Sequence, residues 1–220
     1  SLRFENLKLR YGNTSLVTQY VRLIKMCDTA YSDFLNQVSL ETNILKSQIV
    51  SDDLWWFSPE LKQIGLSFEL EGSTTGSINY FNLTPIYIKL LDSTTLQLSG
   101  TIEQMTETEK LFVDLNYLSV STTPQNLKRI SLLNDSVGNT ILPEEIFRFS
   151  YLNYAGKFSG TLEKFNTSGL LNTNLGQIIH RLSYSRDKNS NTSLEGQVKL
   201  NRLNLGRLLE LEPTMGQIDL

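Results

Sequence analysis

Two residue types that carry much of enzyme chemistry are almost missing from this chain. Its 220 residues include one cysteine, Cys27, and one histidine, His180. A single thiol excludes an internal disulfide framework and a multi-cysteine zinc site. Any Ser-His-Asp triad would depend on His180 alone, and a multi-histidine metal site is impossible. No P-loop, Rossmann glycine fingerprint, EF-hand or H-E-x-x-H occurs. The expectation is a protein with no catalytic residues, no metal and no cofactor. No basic run is present and the net charge is −3, so nucleic acid is not an expected partner. No apolar run approaches the roughly 18–20 residues of a membrane-spanning helix, and no signal peptide is visible. The chain starts at Ser1 and stops just after a repeated phrase has restarted, so it reads as a segment of a longer protein.

What is present is repetition. Ser99-Gly100-Thr101-Ile102-Glu103-Gln104-Met105 returns as Ser159-Gly160-Thr161-Leu162-Glu163-Lys164-Phe165, with four positions identical. Leu175-Gly176-Gln177-Ile178 returns as Met215-Gly216-Gln217-Ile218. Looser copies are Leu70-Glu71-Gly72 and Leu194-Glu195-Gly196-Gln197-Val198. Internal repetition points to a fold built by stacking similar units. The spacing is uneven, so a strand meander with variable turns is expected rather than a strict solenoid. Gly72, Gly100, Gly160, Gly176, Gly196 and Gly216 are the candidate structural glycines. Within a strand pattern, glycine marks a bulge, a bend or a close backbone approach. Recurring at one level, such glycines would curve a sheet into a trough.

Period-2 alternation dominates. Ile64, Leu66, Phe68 and Leu70 alternate with small or polar residues, as do Ile86, Ile88 and Leu90. Leu96, Leu98 and Ile102 share one face. Leu7, Leu9 and Tyr11 form a set, Val113, Leu115 and Tyr117 another, and Ile178, Leu182 and Tyr184 a third. This is the pattern of an antiparallel sheet with one apolar and one wet face. Turns are expected at Gly12-Asn13, Gly72–Gly76, Asp92-Ser93 and Asp187–Asn191. Three segments read as short helices: one from Thr123 as N-cap with Pro124 at N1, one from Pro143, and one at Leu205–Leu211.

Few polar residues invite a role. Trp55-Trp56-Phe57 follows Asp52-Asp53-Leu54 and reads as packing rings or as a sugar-stacking platform. His180 falls on the apolar side of its strand, where a hydrogen-bonded structural histidine is expected. Cys27 belongs to no motif. Glu107, Glu109, Glu144 and Glu145 read as solvated turn and helix-start residues, not as a glycosidase pair.

The collective feature is the apolar face. In a β-sandwich it would pack against a second sheet. In a curved single sheet it would line a trough able to shelter acyl chains, at about 0.8 kcal/mol per buried methylene.

One stretch carries a likeness. Ile141-Leu142-Pro143-Glu144-Glu145-Ile146-Phe147, then Asn153-Tyr154-Ala155-Gly156-Lys157-Phe158-Ser159-Gly160, then Phe165 through Ile178, resembles the middle region of TamB-like proteins of the AsmA-like superfamily in Bacteroides-type bacteria. Those carry an LP step, a Y-x-G-x-F-x-G strand and an F-x-x-x-G-x-L-x-T-x-L-G-x-I strand pair. They close on a G-x-V/L segment and an F/L-x-L-G-x-L-L phrase, matched here by Gly196-Gln197-Val198 and Leu203–Leu209. The likeness is clearest over 141–209 and departs at Ile179-His180-Arg181-Leu182. The family's membrane anchor and C-terminal region, which engages an outer-membrane barrel partner, have no counterpart in these 220 residues.

The resemblance implies an all-β curved antiparallel meander, trough-like in section, in the periplasm of a Gram-negative cell envelope, from a parent protein anchored in the inner membrane. It implies carriage of phospholipid acyl chains between inner and outer membranes. Groove candidates are Ile64, Leu66, Phe68, Leu70, Leu96, Leu98, Ile102, Leu182 and Tyr184, with residues 1–220 forming a single β unit. Two rivals stand beside this. One is a scaffold for outer-membrane protein assembly, whose sheet edges pair with nascent strands. The other is a carbohydrate-binding or adhesin sandwich with Trp55-Trp56 in a cleft.

Overall fold

The computed structural model describes residues 1–55, 65–90, 93–133, 142–187, 190–211 and 216–219. Among the described residues fourteen strands run in chain order. They are β1 (Leu2–Glu5), β2 (Lys8–Tyr11), β3 (Thr14–Lys25), β4 (Val38–Val50), β5 (Ser67–Ser77), β6 (Tyr80–Leu90) and β7 (Thr94–Glu103). Then follow β8 (Phe112–Thr122), β9 (Leu152–Gly160), β10 (Lys164–Thr173), β11 (Gly176–Arg186), β12 (Thr192–Asn201), β13 (Leu203–Asn204) and β14 (Gln217–Ile218). The first twelve make one antiparallel sheet in the order β1-β3-β4 through β12, with β2 alongside β1 on β3. It is an open, curved meander, and β13 and β14 form a separate pair.

From β3 to β12 each strand packs on its neighbours in the chain. The chain exposes 14239 Å². A compact monomer of 25.0 kDa exposes roughly 10,000 Å². The excess is the signature of a single layer. The expected trough-like sheet is therefore the observed fold, and no second sheet covers its apolar face among the described residues.

A belt of bulges crosses the middle of the sheet. Between β4 and β5 the register slips between Ile44 and Ser47, between β5 and β6 beside Pro85, and between β7 and β8 beside Asn116. The extra residue falls on β4, β6 and β8, and Gly72 and Gly100 lie opposite it on β5 and β7. At Gly100, φ is +147°, and an added Cβ would meet the Asp114 carbonyl oxygen at 2.0 Å. A bulge bends and twists its strand, so a belt of them curves the whole sheet.

Several expectations change. Gly72–Gly76 is not a turn; it stays extended inside β5, and the reversal comes at Ile78-Asn79. Tyr117 does not share a face with Val113 and Leu115. The bulge at Asn116 reverses the alternation, so Tyr117 sits opposite Ser99 while Leu118 joins the apolar side. Gly216 precedes β14 with open space around it, unlike the glycines inside the sheet.

The three expected helical segments are present. They are α2 (Pro124–Leu133), a 3-10 turn over Glu144–Arg148 and α3 (Leu205–Leu209); a further short helix, α1 (Phe34–Gln37), lies between β3 and β4. The Thr123 hydroxyl accepts the Asn126 N–H at 3.3 Å, capping α2. Asn126 in turn donates to Ser93 Oγ at 2.8 Å and Thr94 Oγ1 at 3.2 Å, and Thr94 bonds Thr122 at 2.7 Å. These bonds tie the helix to one end of β7 and β8. Below it, Phe149, Leu152, Leu175 and Leu203 form the buried core, with Leu127, Ile146, Leu205 and Leu208 packed against it. Arg148 links the 3-10 turn to α3 through the Leu208 carbonyl and Glu210. The compact core thus sits at one end of the sheet, as a cap.

Candidate functional site: the apolar face

Residues directly opposite one another on antiparallel strands share a face. The register therefore lays out the apolar side row by row. One step in from the cap runs Leu70, Ile88, Leu96, Val120, Tyr154, Leu171, Ile178 and Leu200. The next row is Ile86, Leu98, Leu118, Gly156, Gly169, His180 and Val198. Then come Leu83, Gly100, Leu115, Phe158, Thr167, Leu182 and Gly196, and finally Phe81, Ile102, Val113, Gly160, Phe165, Tyr184 and Leu194. At about 4.8 Å per strand, each row from β6 to β12 spans roughly 29 Å.

Phe68, Leu70, Leu96, Leu98, Ile102, Leu182 and Tyr184 thus fall on one continuous face, with Phe68 opposite Ile49 and Leu90. Leu66 lies just ahead of β5, half-buried, its backbone paired with Ser51. Ile64 lies outside the described residues. Gly72, Gly100, Gly160 and Gly196 are on the same face, and Gly176 opens β11 beside it.

Sequence reasoning missed Phe81, Leu83, Leu118 and Val120. They belong to strands whose alternation is reversed at a bulge. The one available signal was Pro85, since proline inside a strand is confined to edges and bulges.

Over β9 to β11 the face is aromatic. Phe158, Phe165 and Tyr184 stack in series, with ring centres 5.2 and 5.0 Å apart. Tyr154 stacks on His180 at 5.7 Å and lies across Gly156 and Gly169, where an added Cβ would strike its hydroxyl at 2.3 and 2.6 Å. The Tyr154 hydroxyl and His180 Nε2 both reach Thr167 Oγ1, at 3.2 and 3.3 Å. Burial among these groups lowers the His180 pKa, because the low-dielectric surroundings disfavour the imidazolium.

The opposite face is polar. Arg22 pairs with Glu41 at 3.5 Å, Lys46 with Glu69 at 3.1 Å, and Gln97 donates to the Tyr87 hydroxyl at 3.2 Å. An open cavity of about 790 Å³ is lined by residues of β8 to β12. In each strand its lining takes a polar-face, apolar-face, polar-face triplet, such as Lys157-Phe158-Ser159 and Arg181-Leu182-Ser183.

The remaining candidates are structural ties. Asp53 Oδ2 accepts the N–H groups of Asn13 and Thr14 at 2.9 and 2.7 Å, closing the β2–β3 turn. Asp52 accepts the Gly65 N–H at 2.8 Å. Trp55 is 48% exposed, and Trp56 and Phe57 lie outside the described residues. Cys27 is exposed in a bend and hydrogen-bonded to Gln37. Among the described residues no three His, Cys, Asp or Glu side chains are placed to hold a metal ion. None of the described helices is long and apolar enough to cross a membrane.

No family model, curated protein or solved structure matches this chain.

Proposed function

We propose that the apolar face is a lipid-carrying surface and that the chain is a non-enzymatic segment of a TamB-like envelope protein. Acyl chains lie along the rows of aliphatic side chains, while headgroups stay in water at the open edge. The observation that carries this is the face itself: four rows of mainly apolar, mostly half-buried side chains on a one-layer sheet, with no second layer over them among the described residues. A broad apolar face left half-exposed on a single layer supports binding of something apolar. At about 0.8 kcal/mol per methylene, a long acyl chain is held there without any specific contact. A face that binds without specific contacts also lets chains slide along it, as passage between two membranes requires. The sequence likeness supports a setting in the periplasm, between inner and outer membranes.

The test is photo-crosslinking in the periplasm of a Gram-negative host. A photoreactive residue replaces Leu98 in one variant and Gln97 in another. The two neighbours share β7 but point to opposite faces, Leu98 between Ile86 and Leu118, Gln97 between Tyr87 and Ser119. Phospholipid adducts at position 98 and not at 97 are expected. Adducts at neither position, or equally at both, refute lipid carriage on this face.

A further inference from the structure

In the four rows of the apolar face, only Tyr154, Thr167, His180 and Tyr184 bring polar side-chain atoms. Tyr184 belongs to the ring stack. The other three stand on the neighbouring strands β9, β10 and β11 and meet one another. The His180 row around them is otherwise apolar: Leu118, Gly156, Gly169 and Val198.

The hydrogen bonds fix where each proton lies. A carbonyl oxygen can only accept, so the Thr167 hydroxyl gives its one proton to the Lys157 carbonyl, at 3.1 Å. Only lone pairs are left on Thr167 Oγ1 for its other two neighbours. Tyr154 therefore donates its O–H to it at 3.2 Å, and His180 donates Nε2–H at 3.3 Å. Burial lowers the His180 pKa, which keeps the ring neutral at neutral pH. In a neutral imidazole one nitrogen donates and the other accepts. Nδ1 is thus left as an acceptor, and the hydrogen bond of this side chain among the described residues goes through Nε2.

That acceptor matters to whatever lies on the face. His180 is half-buried, so water can satisfy Nδ1. An acyl chain laid over the ring removes that water. Stripping a polar group of its partner costs more than the burial of one methylene returns. A plain hydrocarbon chain is penalised at this point, and a chain that brings an O–H group is not.

We propose that His180 Nδ1 accepts a hydrogen bond from a hydroxyl group of the bound lipid, so that the face selects acyl ligands carrying an alcohol over those without a donor. The inference rests on the lipid reading above and adds one specific contact to it. An ionised carboxylate does not fit, because it offers an acceptor to an acceptor and no cationic side chain stands in these rows. Tyr154 and Thr167 are positioning residues. The first stacks on the imidazole at 5.7 Å, and the second holds the proton on Nε2.

The chain has one histidine, so its imidazole nitrogen resonances have a single source. Two probes are compared, a long-chain alcohol and its methyl ether. The free protein is expected to carry its ring proton on Nε2. The Nδ1 resonance is expected to move on titration with the alcohol and to stay in place with the ether. This measurement uses the native chain, so it stands even where a variant fails to fold. Displacement of a fluorescent acyl reporter gives the alcohol-to-ether affinity ratio. His180→Phe keeps a ring against Tyr154 and should lower that ratio about tenfold, the effect of one hydrogen bond. A ring proton on Nδ1, an equal Nδ1 response to both probes, or a ratio unchanged by His180→Phe overturns the inference. If both probes bind alike and lipid adducts still form at position 98, this inference alone falls. If neither probe binds and position 98 gives no adducts, the lipid reading falls and takes this inference with it.

Discussion

At the scale of single residues, two side-chain environments make sharp predictions. Gly100 has no room for a β-carbon, because the Asp114 carbonyl occupies its place, and its φ of +147° suits glycine alone. Gly100→Ala is expected to lower stability by at least about 2 kcal/mol, measured by denaturant unfolding. An alanine at exposed, uncrowded Gly216 is expected to change it by less than about 0.5 kcal/mol. His180 predicts a pH effect. Its folded-state pKa lies below the ordinary value of about 6.5, so the unfolded chain takes up the proton first as the pH falls. The stability contribution is complete above the ordinary value and is lost as pH drops through the lowered one. Unfolding midpoints measured downward from about pH 7.5 should therefore show a fall that His180→Gln removes.

At the scale of elements, the bulges decide which side chains join the apolar face. On β6, Phe81 and Leu83 keep one phase and Ile86, Ile88 and Leu90 the other, with Thr84-Pro85 between them. On β8, Val113 and Leu115 precede the slip, and Leu118 and Val120 follow it. Without the bulge, half of each strand would turn its apolar residues to water. The cap is a separate unit of packing. Leu203 is 2% exposed in the core beneath α2 and α3. Leu203→Ala is expected to cost about 2–5 kcal/mol of local stability. Amide exchange should then rise in β9 to β11 and α3 while β3 and β4 keep their protection, because strands far apart share no direct packing.

For the whole molecule, a one-layer meander is stabilised by neighbour contacts in series, as in repeat proteins. That leaves a broad, mostly half-buried apolar face with no second layer over it among the described residues. A single layer this exposed is useful only if something covers it. An acyl chain lying on the proposed face would cover it by apolar burial.

Much of the fold was legible in the residues alone. Alternation at Phe68-Leu70 and Leu96-Leu98 marked the strands and their apolar side, because a period of two needs no tertiary information. Thr123-Pro124 marked the start of α2, because capping chemistry is local. The recurring glycines marked where strands approach closely. Other features were decided only in the folded molecule. β3 and β4 were invisible as alternating strands because bulges reverse their phase partway along. Tyr117 was misassigned for the same reason. The choice between sandwich and open trough could not be read from periodicity, since both bury one face of each strand. It depended on whether a second layer returns over the first, and here each strand is followed by its neighbour in the same sheet.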